Sequence, residues 1–443
     1  MASVSSGDVV NVFKRVYGDT TNLLPEDFPL AKAIPFSEKQ KVGDSYVECV
    51  VLTNETGITL GGSAMDAFEL NASIAGVVKQ TSITPYISVL PSVVPWGVVS
   101  RSAGGGDKAF FDATKFVVKN NLRSHSRFQE AIRLYGQSPA LLGYVSYATA
   151  TYRSVSFTTG TGTLTVNGSS VTFTAGVNTS SKWILLAPGS FAAGLWVGME
   201  GVRVNQVTST GAIVGSGKLV AVDAIQGAIQ VDFTPTAASS TTSHRLCYAG
   251  MELAKEYVGM NKIMTTTAGT LFGIANSGFS LFQPNYKTLA GVKLTLARFQ
   301  LEVANMVNKG GLEGDLDVYV NPRTWATLAS TEAGLRVYDK SYNPSEAENG
   351  FEAISFYTQA GKATFRPHRM VKEGEAYVLH LPTWSRSGSA EVSFSVPGMP
   401  GELIFPLENQ AAYAFRSYSD QYVFCNQPAH NLLIDGINDE SST

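Results

Sequence analysis

The 443-residue chain is long enough for two or three domains, each with its own core. Its 33 basic and 36 acidic residues nearly cancel, which excludes the basic excess of a typical nucleic-acid-binding protein. Cys49, Cys247 and Cys425 are scattered and odd in number, so they read as small buried residues of a reducing compartment rather than a disulfide framework.

The N-terminus lacks the apolar stretch of a signal peptide, and no run approaches a membrane span. Export by the usual route is not expected. Ser6, Gly7 and Asp8 offer caps for a short amphipathic helix with Val9, Val12, Phe13 and Val16 on one face, stopped by Gly18. So few turns suit docking onto a protein groove better than anchoring in a membrane. Residues 20–41 run through Pro25, Pro29 and Pro35 as an extended arm.

Residues 42–53 read as a strand, and strand-like stretches return from Phe68 to about Val94. Between them lies a glycine-rich tip from Asn54 to Met65, holding Gly57, Gly61 and Gly62. A long hairpin of this kind buries little by itself and makes sense if another subunit covers it. Asp107 then opens the longest helical pattern, with Phe110, Ala113, Val117, Phe128, Ala131 and Leu134 at helical intervals up to Tyr135-Gly136. Such a rod is roughly 40 Å long at 1.5 Å per residue. Lys115, Lys119, Arg123 and Arg127, spaced by four, form a basic stripe along it. Three readings stand open for the stripe: solvated side chains, carboxylates of a neighbouring subunit, or DNA phosphate.

Residues 151–248 are rich in Thr, Ser, Gly and Val and poor in charge. Leu164–Val166, Asn167-Gly168 and Val171–Phe173 make a hairpin signal with a primed turn. Further strands are expected at 183–186, 196–204, 213–222 and 229–233. Together they predict a small inserted β-barrel or sandwich. Gly211–Leu219 superficially suggests a phosphate loop, but Ala212 and Leu219 break the pattern, and a β-turn fits better.

Beyond Met251 the pattern predicts a helix over 289–308 with Gly310-Gly311 as terminator, then a strand Leu316–Val320 broken by Asn321-Pro322. Trp325 and Leu328 follow at helical spacing. A polar loop spans 341–349. Strands are expected at 362–368, 376–380, 391–396, 410–424 and 432–434.

The strand running into Asn321-Pro322-Arg323 and an aromatic resembles the central domain of tailed-bacteriophage major capsid proteins, the Hong Kong 97-type fold. Ala131–Gly136, Gly273-Ile274 and the strand 410–424 followed by Pro428-Ala429 are similar to that family in the same order. The resemblance covers roughly 1–150 and 250–436. It implies an α+β fold with an N-terminal arm (1–41), extended loop (42–96), peripheral domain with spine helix (97–150), axial domain (249–390) and returning peripheral strands (391–443). The β-rich insertion occupies 151–248.

The implied function is structural. The chain would self-assemble into hexamers and pentamers of an icosahedral head around double-stranded DNA, assembled in the host cytoplasm, with no enzyme activity and no cofactor or metal. A separate scaffolding protein is expected, because no helical, charged prodomain precedes the arm. A portal, a decoration protein and non-specific contacts of the inner surface with packaged DNA belong to the same picture.

Candidate inter-subunit residues are Val9, Phe13, Asn54, Gly57, Gly61, Gly62, Lys115, Lys119, Arg123 and Arg127, with Asn321, Pro322 and Trp325 as axial architecture. An encapsulin-type compartment is the alternative that shares the fold. A β-rich carbohydrate-binding or degrading protein is the alternative from another class, although Glu200, Asp223 and Asp232 are isolated in the sequence. The five histidines show no metal-ligand spacing.

Overall fold

The computed structural model describes residues 28–38, 45–61, 68–97, 107–138, 141–147, 151–153, 155–239, 243–253, 255–336, 354–394 and 405–438. Val9, Phe13, Gly62 and the polar loop 341–349 lie outside these residues, as does the side chain of Lys115. The chain builds two sheets with a helix or helices packed on each, plus a β-barrel between them in sequence.

The rod forms as its pattern predicts, a 29-residue helix Asp107–Tyr135. It lies on a peripheral sheet in which Ala412–Cys425 is central, with Trp384–Ser393 on one side and Tyr86–Pro95 pairing along it from Pro95 to Tyr86. Phe36–Glu38 adds to Trp384–Ser393 in parallel, so the described part of the arm is stitched to the sheet. Leu30 and Ile34 anchor it in the core.

The second sheet runs in the order 285–292, 432–437, 376–379, 316–320, 362–367, 354–357. Helices Leu296–Gly310 and Pro322–Arg336 complete this axial unit. Its own apolar core holds Phe299, Val303, Met306, Val318, Leu328, Phe365 and Val378. Two expectations need correction. The helix expected over 289–308 begins only at Leu296, where Thr295 caps it, because Asn285–Val292 is a strand with a register break near Gly291. The final strand, Leu432–Ile437, belongs to the axial sheet rather than to returning peripheral strands. Conversely, Trp384–Ser393 is peripheral, so the boundary expected near 390 cuts through a strand.

The inserted segment begins at Gly143, earlier than the composition change suggests. Its strands run 143–144, 245–248, 203–207, 213–223, 228–231, 183–185. Val145 then pairs with Leu186, Ser146 N–H donates to Leu185 O, and Ala187 N–H donates to Tyr144 O. These bonds join the first strand to the last and close a six-stranded barrel. Val177–Asn178, Ser169–Thr174 and Thr161–Val166 continue from 183–185 as a flap with a small core of Phe157, Leu164, Phe173 and Trp183. The strand expected over 196–204 is instead a short helix Ala193–Trp196 followed by a strand Arg203–Val207. The barrel is not a detachable bead: Trp196, Val204, Leu246 and Tyr248 share one core with Leu134, Tyr135 and Tyr422.

Candidate assembly interface

Residues 46–61 and 68–83 fold as a two-stranded ribbon. Cys49–Val51 pairs with Val78–Gln80, flanked by bridges Tyr46–Ile83 and Thr56–Ile74. The ribbon root is well held. Tyr46 stacks on Tyr422 at 4.7 Å, and Tyr422 donates to Glu48 Oε1 at 3.1 Å. Past Leu52 and before Thr81, no described residue is buried.

Yet the ribbon is not polar: Val51, Ile58, Leu60, Phe68, Leu70, Ile74 and Val78 are 52% to 85% exposed. Apolar side chains concentrated on one two-stranded projection form a patch of the kind that marks a protein–protein contact. Burying each of them fully stabilises by about 1.5–3 kcal/mol. A handful is then enough to offset an association cost on the order of 4–15 kcal/mol. Asn54 is exposed on this ribbon. Gly57 has φ +120°, and a Cβ there would come 2.7 Å from Ala72 O. A Cβ at Gly61 would meet the Phe68 ring at 2.6 Å. These glycines let the two strands approach each other.

The rod presents its polar side, rather than an apolar stripe, to the peripheral sheet. Asn121, His125 and Gln129 are spaced by four and buried. Asn121 Nδ2 donates to Leu90 O at 3.0 Å and to Ser92 Oγ at 2.7 Å. The His125 ring lies between Ser88 Oγ at 2.7 Å and Ser417 Oγ at 2.8 Å. Gln129 accepts from Gln421 Nε2 at 2.8 Å. Burial without a carboxylate partner pushes His125 down to about 4, so the ring is neutral near pH 7. Three polar residues at helical spacing are visible in the sequence. Their partners, up to 292 residues away, are not.

The basic stripe does not act as a unit. Lys119 is exposed and Arg123 half-buried. Arg127 is buried, and its guanidinium donates to Gly194 O at 2.8 Å, Gly198 O at 3.2 Å and Val197 O. It therefore caps carbonyls at the end of the short barrel helix within its own chain. That leaves it no place among the candidate inter-subunit contacts.

Where rod, arm, barrel and axial unit meet, charges are buried in matched sets. Glu130 accepts from Leu30 N–H at 2.9 Å and His368 Nε2 at 3.2 Å, and pairs with Arg133. Burial pushes its carboxyl up, but Arg133 and His368 outweigh this and hold it below the ordinary range. Glu375 accepts from Tyr135 Oη at 2.8 Å and Tyr377 Oη at 3.0 Å, and burial raises its pKa. Lys372, pushed down to about 8 by burial, donates from Nζ to Leu141 O at 2.7 Å. Arg153 of the barrel and Arg323 of the axial helix share Glu373, at 2.7 and 3.5 Å.

Asn321 is buried at the strand–helix step. Its Nδ2 donates to Val371 O at 2.8 Å and its Oδ1 accepts from Arg323 N–H at 3.0 Å, so it caps the helix that Pro322 opens. Trp325 packs half-buried against the axial core.

Against solved structures, the capsid asymmetric unit of cyanophage A-1(L) matches with a TM-score of 0.51, covering 95% of each chain at 9% identity. The chain has the fold of a phage capsid protein. The capsid of a native GTA particle gives a TM-score of 0.44 at 10% identity, with 99% of each chain covered. The holo-SrpI encapsulin complex from Synechococcus elongatus PCC 7942 gives 0.38 at 7% identity, over 96% of this chain and 95% of that one. These two similarities are too weak to add to the first. No family model and no curated protein matches at the level of sequence.

Two carboxylates of the insertion hold backbone N–H groups. Asp223 accepts from the backbone N–H groups of Asn167, Ile225 and Gln226, and Asp232 from that of Lys218. Among the described residues no group of three or more His, Cys, Asp or Glu could hold a metal ion. No described helix is long and apolar enough to cross a membrane.

Proposed function

We propose that this chain is the major capsid protein of a tailed double-stranded DNA phage, polymerising into hexamers and pentamers of an icosahedral shell. The observation that carries the proposal is the apolar ribbon of residues 46–61 and 68–83 on a capsid-type fold. It is anchored at its root by Tyr46 and Leu52 and left uncovered beyond. In a shell it straps a neighbouring subunit, burying Ile58, Leu60, Leu70 and Ile74 where the isolated chain cannot. Asn54, Gly57 and Gly61 shape that strap, and Lys119 and Arg123 remain candidate contacts on the rod.

A separate scaffolding protein and a portal complete the assembly pathway, and the interior holds DNA through non-specific contacts. The role is architectural, with no reaction to catalyse. Expression of the full chain, alone and with its neighbouring genes, followed by electron microscopy, tests this. Rings or closed shells are the expected outcome. A stable monomer under all conditions, with an intact ribbon, would overturn it.

A further inference from the structure

The segment Glu256–Asn261 leads from the barrel into the helix Met260–Thr265 and clips the end of the rod to the axial sheet. Tyr257 Oη donates to Gln129 O at 3.3 Å, and Gly259 N–H donates to Gly136 O at 2.8 Å. Asn261 accepts from Ser138 Oγ at the rod end and donates from Nδ2 to Tyr377 Oη at 2.9 Å on the axial side. The two backbones cross in near contact. A Cβ at Gly136 would overlap Tyr257 O, and one at Gly259 would come 2.5 Å from Gly136 N.

One carboxyl closes this clip. Gln137, in the left-handed region at φ 52°, donates its N–H to Glu256 Oε1 at 2.9 Å and its Nε2 to Glu256 O at 2.6 Å. A non-glycine residue keeps that conformation where its surroundings impose it. Glu256 is 4% exposed, and among the described residues its Oε2 has no hydrogen-bond partner. A charge buried there costs more than the neutral acid. The groups around it offer no relief. Glu252 has the same sign, and Cys247 is kept neutral chiefly by its own burial. Lys255 is exposed and gives only its backbone N–H. Arg133 on the rod pairs with Glu130, and Lys372 donates to Leu141 O. Burial, reinforced by Glu252, pushes the Glu256 carboxyl up to about 7, and the backbone N–H groups of Gln137, Glu256 and Lys255 offset only part of this.

We infer that Glu256 and Gln137 form a proton-sensitive latch between the rod and the axial unit, closed while Glu256 carries its proton and loosened when the carboxyl ionises. Ionisation draws water to Oε2, frees Gln137 from its imposed conformation and lets the 256–261 crossing open. The folded pKa lies above the ordinary 4.5, so the latch is firmest below pH 4.5 and weakens as pH rises towards 7. His125 acts in the opposite sense, because its contribution grows as pH rises. The latch is independent of the shell function proposed above, and its test reads the full-length chain in solution.

Hydrogen exchange at pH 5 and pH 8, normalised to the intrinsic rates at each pH, measures opening of the joint. Peptides covering 133–138 and 255–261 should lose protection at the higher pH by more than about tenfold, while a peptide covering 316–320 changes little. Glu256→Gln keeps an acceptor for Gln137 N–H and removes the charge, so its protection should be nearly the same at both pH values. Glu252→Gln removes the repelling neighbour and should shrink the loss without abolishing it. Equal protection of the parent at pH 5 and pH 8 would overturn the latch. So would a full loss persisting in Glu256→Gln, which would assign the change to Lys372, whose ammonium is pushed down to about 8 in the same junction.

Discussion

The axial unit and the ribbon carry similar proportions of apolar side chains and use them in opposite ways. In the axial unit Val318, Phe365 and Val378 are wholly buried, and the rings of Phe299 and Phe356 pack edge-on against Phe365 at 4.8 and 5.5 Å. In the ribbon Ile58, Leu60 and Leu70 stand 79% to 85% exposed. The axial unit completes its core within one chain. The ribbon is held at its root and unfinished beyond it. On the shell function proposed above, stability of the subunit and stability of the assembly rest on different residues.

Substitutions can separate the two. The largest effect is expected from Ile58→Ser, Leu60→Ser and Leu70→Ser together, which should abolish shell formation in sedimentation. The same variant should leave monomer stability within about 0.5 kcal/mol per site, as for other exposed positions. Loss of monomer stability instead would show that the ribbon folds back on its own chain. Phe365→Ala should cost about 3–5 kcal/mol in denaturant unfolding of the subunit, with assembly lost only as a consequence.

Next in size is the rod's polar seam. His125 has its folded pKa lowered from 6.5 to about 4, so its contribution is fully present above pH 6.5 and is lost as pH falls towards 4. Charging it should remove about 3 kcal/mol across that window. His125→Gln should flatten that part of the pH dependence, and unfolding midpoints between pH 7 and 4 check it. Smallest is Asn321→Ala, which removes a helix cap and a bond to Val371 O and should cost about 1–2 kcal/mol without touching the ribbon.

What the sequence disclosed was local. The rod, the Asn167-Gly168 hairpin and the Asn321-Pro322 step follow from periodicity, caps and turn residues within a few positions of one another. The glycine-rich tip also announced a hairpin that buries little. Closure of the barrel was hidden because it depends on Val145 meeting Leu186, a pairing no spacing encodes. Leu432–Ile434 is the same continuous apolar run whichever sheet it joins, so only tertiary packing sent it to the axial unit. Arg127 fell on the basic stripe by its spacing, but Gly194, Val197 and Gly198 claim its guanidinium. Residues 289–292 read as part of the helix because Val292 lies at helical spacing before Leu296 and Phe299. The strand wins there by pairing with Leu432–Ile437.

Hydrogen–deuterium exchange of the free subunit against the assembled shell tests the central claim most directly. Peptides covering 53–61 and 68–77 should exchange within seconds in the subunit and become strongly protected in the shell, while peptides covering 316–320 and 362–367 stay protected in both. Ribbon amides that remain equally unprotected in intact shells would contradict the account.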